Sequence, residues 1–134
     1  MLSKETRLNL TKLVFSYIFR SENNLEVDIN DLLLASEDPE DNHYFPDIIE
    51  RLEEYRHEVE VYLSEFGWIG TPYISKAILV MFCFEKMTFL KGQPELQAKV
   101  IAEYLHLTQD LAGSECVPLV HAVIGKLTQT SEQN

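Results

Sequence analysis

The sequence predicts an all-α fold, one domain over residues 1–134 built from five to seven helices. Three observations lead there. Apolar residues recur at i, i+3, i+4 and i+7 through most of the chain. No run alternates apolar and polar residues with a period of two between turn signals. The stretch 72–89, PYISKAILVMFCFEKMTF, is apolar on nearly every side when wound as a helix, so other helices must wrap it. A chain of 134 residues is long enough to bury such a core without disulfides or a metal.

The elements follow in order. Residues 3–20 read as a first helix capped by Ser3, with Leu10, Leu13, Val14, Tyr17 and Ile18 on its buried face. A polar turn at 21–24 precedes a short helix opening at Asp28, where Val27 and Leu32 are spaced for a hydrophobic staple. Segment 36–42, SEDPEDN, reads as a solvated loop. A long helix then spans 43–66, in phase from Phe45 through Ile48, Tyr55, Val59 and Phe66, with Pro46 in its first turn and Gly67 as its stop. Trp68 and Ile69 should tuck against the core. Thr71 and Pro72 look like a cap and a first helical position for the central helix. Within it Ile74, Ala77, Ile78 and Met81 form one stripe, and Tyr73, Val80, Phe84 and Met87 a second. Ser75, Lys76, Glu85 and Lys86 interrupt the apolar run and argue against a membrane span. Lys91-Gly92-Gln93 turns the chain into a fifth helix opened by Pro94, with Val100, Ile101, Tyr104 and Leu105 inward. Ser114 should cap a last helix carrying Val117, Val120, Val123, Ile124 and Leu127. The end, 129–134, reads as frayed, leaving an ordered core over about 3–128.

The formal net charge of −11 disfavours non-specific nucleic-acid binding through the bulk field. Over 21–66 the acidic residues outnumber the two cations, Arg51 and Arg56, by fifteen to two. That segment is either a docking face for a basic partner or a solvated surface that keeps the protein soluble. Cys83, inside the central helix, reads as a small buried hydrophobe. With Cys116 it suits a reducing compartment, and the N-terminal residues have neither signal-peptide nor transit character, so the expected location is cytoplasmic.

Glu54-x-x-His57 and Glu103-x-x-His106 have the spacing that di-iron bundles use. Such a site needs further inward carboxylates, His57 lies on the charged side of its helix, and the pattern arises readily in a Glu-rich chain. No metal and no cofactor is expected. There is no Gly-rich phosphate loop, no Gly-x-Ser-x-Gly and no Cys-His pair, and His43 and His121 read as surface or capping residues. The reading is not an enzyme. Lys4, Arg7 and Lys12 make the first helix locally basic.

Taken together, the segments resemble the NusB family of transcription antitermination factors, from about Thr6 to Leu127. The resemblance rests on Val14-Phe15 near the end of the first helix and on Tyr44-Phe45 opening the long one. It continues with Ala77-Ile78-Leu79 through Phe84-Glu85, the acid of Ala102-Glu103, and 119–126, LVHAVIGK, on the last helix. It implies two packed helical subdomains and a non-catalytic scaffold. Such a scaffold binds boxA-type single-stranded RNA together with the ribosomal protein NusE and joins the transcription elongation complex. By carry-over, Lys4, Arg7, Lys12, Glu115 and Cys116 would face RNA, and Phe15, Ser75 and Glu85 would lie on or near the NusE-facing surface. The chain departs from the family where partners touch. Only Lys4 and Arg7 remain of an arginine-rich start, Val80 stands for an arginine, Ser75 for an acid, and His121-Ala122 for Asn-Gly. The alternative is a divergent NusB-like module that has lost RNA binding and acts through protein contacts, including self-association as a homodimer.

Overall fold

A computed structural model describes residues 1–63 and 67–133. The fold is all-α. Among the described residues there are seven α-helices: α1 (Lys4–Glu22), α2 (Ile29–Leu33), α3 (Pro39–Glu50), α4 (Leu52–Glu60), α5 (Tyr73–Glu85), α6 (Gln97–Ala112) and α7 (Val117–Gln133). No described helix is long and apolar enough to cross a membrane.

Helix α5 is the axis of the packing. Every residue from Ser75 to Glu85 is buried, and α1, α4, α6 and α7 all pack against it. This is the arrangement its all-round apolar surface demands. Leu10, Val14 and Ile18 of α1, Phe45 and Ile48 of α3, and Tyr55 and Val59 of α4 reach the same core. Val100 and Tyr104 of α6 join Val120, Val123, Ile124 and Leu127 of α7 on the opposite side. Ser3 caps α1 as expected, its Oγ accepting from the Thr6 N–H at 3.1 Å. Asp28 caps α2 through the Asn30 N–H at 2.7 Å.

Several boundaries differ from the sequence reading. The segment over 36–42 is not all loop, because Asp38 caps α3 and Pro39 supplies its first position. That Asp-Pro pair is an ordinary helix start hidden in a polar run. Pro46 therefore falls in the helix interior, where it denies the exposed Asn42 carbonyl its usual donor. The long helix expected over 43–66 is two helices. Arg51 leaves helical geometry (φ −104°, ψ 14°), and its N–H turns tightly to the Ile48 carbonyl. The part of that helix at 64–66 lies outside the described residues.

Thr71 does not cap α5. Its hydroxyl donates to the Gly67 carbonyl at 2.9 Å, and Pro72, extended at ψ 143°, takes the capping position. After Glu85 the chain widens into a π-helical turn over Lys86–Leu90. The wider winding shifts the side-chain phase, so Met87, expected on a buried stripe, is exposed. Ser114 likewise makes no capping bond. It begins a 3-10 turn over Ser114–Cys116, after Gly113 reverses the chain at φ +91°. Helix α7 continues to Gln133, into the segment that composition reads as a tail.

Candidate functional site

The locally basic face of α1 forms one wall of a groove against α6. Lys4, Leu8 and Lys12 project at i, i+4 and i+8, one above the next on a helix face, with Arg7 alongside. The facing wall is Glu103, His106 and Asp110, with Leu107 and Leu111 beneath. The groove encloses about 180 Å3. Lys4, Lys12, His106 and Asp110 are exposed, whereas the three leucines are half-buried. The result is an apolar floor between two lysines on one side and an imidazole and carboxylates on the other.

Arg7 stands at the inner edge of this groove and belongs to the interior. It is 2% exposed. Its Nε donates to Glu85 Oε1 at 2.9 Å, and its Nη2 donates to Glu85 Oε2 at 2.7 Å. Nη2 also reaches the Leu2 carbonyl at 3.1 Å, and Nη1 lies 3.7 Å from Glu103 Oε2. Glu85, fully buried, further accepts from the Tyr104 hydroxyl at 2.8 Å and the Leu2 N–H at 3.2 Å. Burial opposes the Arg7 charge, but the hydrogen bond and charge of Glu85 outweigh it and hold the guanidinium pKa above its ordinary value. Burial, followed by the Glu85 charge, pushes the Tyr104 phenol well above its usual pKa. Two charges and a phenol thus close into a satisfied network joining the N-terminal residues, α1, α5 and α6.

The other residues singled out from the sequence are scattered. Glu115 and Cys116 lie on the 3-10 turn before α7 and do not line the groove. The Glu115 carboxylate folds over Gly113, where an added Cβ would meet Oε2 at 2.6 Å. Phe15 is half-buried on α1 and stacks on Phe19 with ring centroids 6.2 Å apart, and Phe19 meets Tyr73 edge-on at 5.2 Å. Ser75 and Glu85 share no surface with Phe15, since both are fully buried along α5. A residue on a helix wrapped on all sides cannot meet a docking partner without unpacking the core. Cys83, also on α5, has its thiol pushed far up by burial, which leaves it unreactive. Among the described residues no three His, Cys, Asp or Glu side chains are grouped to hold a metal ion.

One charged cluster was not legible in advance. Lys76 is 2% exposed, donates to Glu22 Oε1 at 2.6 Å, and sits over the rings of Tyr73 and Trp68 at 4.6 and 5.1 Å. Glu22 also accepts from the Trp68 indole N–H at 2.8 Å. Compared with protein-family models, with curated proteins and with solved structures, the chain shows no match.

Proposed function

We propose that the chain is a NusB-like, non-catalytic scaffold that binds boxA-type single-stranded RNA together with the ribosomal protein NusE, as part of the transcription elongation complex. The observation that carries this reading is the α1–α6 groove, where Lys4 and Lys12 flank a leucine floor with His106 and Asp110 opposite. Single-stranded RNA needs cations along its backbone and a surface that accepts unstacked bases, and the groove offers both. The ordered series of NusB-like segments supports the same reading. Arg7 supports the wall of the groove from within rather than contacting phosphate. RNA contact then falls to Lys4 and Lys12, with Phe15 as the surface-accessible member of the partner-facing set.

The test is fluorescence anisotropy of a labelled boxA-like RNA, with and without NusE, over a salt series. Partner-enhanced binding that weakens with salt, and falls when Lys4 and Lys12 are both alanine, supports the proposal. Absence of binding at low salt with NusE present overturns it. A second reading, a protein-contact module without RNA binding, is favoured by the burial of Arg7 and by Glu103 and Asp110 lining the same groove, since both reduce its attraction for phosphate.

A further inference from the structure

A second cleft, of about 520 Å3, opens on the other side of Lys12, between α1, α2 and the start of α3. Leu13, Leu32 and Ala35 form its apolar lining, and Asp31, Glu37 and Asp41 contribute three carboxylates. Acidic side chains alone would be ordinary surface. Asp41 is different, because it is fully buried and carries an orphaned oxygen. Its Oδ2 accepts from the Ser36 hydroxyl, while Oδ1 has no hydrogen-bond partner. Burial holds this carboxyl above the usual aspartate range even against the Ser36 hydrogen bond, and the Asp38, Glu40 and Glu5 charges push the same way. A buried carboxylate oxygen without a donor is costly to maintain, so the site has unused capacity to accept hydrogen bonds.

We propose that this cleft receives an arginine side chain from a basic segment of a protein partner. The leucines and Ala35 cover the aliphatic stem, and the guanidinium donates to Asp41, with Asp31 and Glu37 at the rim. Arginine fits better than a metal ion, since its planar fork supplies several donors in a fixed geometry and its stem needs apolar cover. Ser36 takes one acceptor position of Asp41 Oδ2 and leaves the other, together with the whole of Oδ1, for a two-pronged contact of the kind Arg7 makes with Glu85. The site shares only Lys12 with the RNA groove, and the residues that would hold the guanidinium, Asp41, Asp31 and Glu37, lie outside that groove.

The experiment is a ¹⁵N-HSQC titration of the full chain with N-acetyl-arginine methylamide, with the isosteric but uncharged citrulline analogue as control. Saturable shifts confined to the cleft are expected, with the citrulline compound at least about tenfold weaker. D41N should weaken arginine binding about tenfold or more. Equal shifts from the two compounds, shifts spread over the acidic surface, or wild-type affinity in D41N would each overturn the proposal. Should D41N lose its dispersed spectrum, E37Q decides. A weakening of about two- to threefold supports the site, and unchanged affinity overturns it. Lys4→Ala separates the two readings, since it removes an RNA contact and leaves the arginine titration unchanged.

Discussion

Among single residues, Arg7 and Glu85 carry the largest consequences. A buried ion pair of this kind is not by itself strong evidence of stability, because both ions were taken out of water. Breaking it from one side is another matter. Arg7→Ala leaves a fully buried carboxylate with only Tyr104 and Leu2 as donors, and should cost about 3–5 kcal/mol in urea denaturation. Tyr104→Phe removes one donor from the charged Glu85 and should cost about 1.5–3 kcal/mol. The same phenol sets an alkaline limit. Its folded pKa is raised, so its contribution is fully present below the unfolded value of about 10 and is lost as the pH rises beyond it. Stability should therefore fall more steeply above about pH 10 in the wild type than in Tyr104→Phe, as read by pH-dependent melting.

At the level of the element, the informative case is α3. Asp38 accepts from the Glu40 N–H at 2.9 Å, and Asp38→Ala should destabilise by about 1 kcal/mol through loss of the cap. Pro46, inside the same helix, leaves a carbonyl without its donor, so Pro46→Ala should raise the melting temperature rather than lower it. Both effects follow from where the helix starts, which the sequence conceals. A loop-like composition at 36–42 outweighed the Asp-Pro signal within it. By contrast α1, α5 and α6 were legible because their apolar period is local information. The polar residues of α5 were not. Ser75, Lys76 and Glu85 interrupt an apolar run, yet all three are buried. Their partners stand far off in the chain, Glu22 for Lys76 and Arg7 for Glu85, and no local pattern announces a contact 54 or 78 residues away. For the candidate site this has one effect. Lys4 and Lys12 were recognisable as exposed cations on α1, whereas the carry-over of Ser75 and Glu85 to a partner surface conflicts with the all-round burial that the period of α5 already required.

Over the whole molecule, a net charge of −11 and the two exposed lysines that line the groove, Lys4 and Lys12, bound what RNA affinity can be. Two phosphate contacts on a single strand give a slope of log affinity against log salt of about −1.4. A measured slope several times steeper would require cations beyond Lys4 and Lys12. The same charge excess repels phosphate at long range and draws basic partners, so association with a basic protein should slow markedly as ionic strength rises.

The cluster around Trp68 has an optical consequence. This is the chain's single tryptophan, 3% exposed, and its indole is held by Glu22 at the end of α1 while Lys76 of α5 and Arg56 of α4 lie 5.1 and 5.6 Å from its ring. Its fluorescence therefore reports one junction, the place where α1 meets α4 and α5. Unfolding of that junction should shift the emission to the red, and α7 could fray without changing the colour at all.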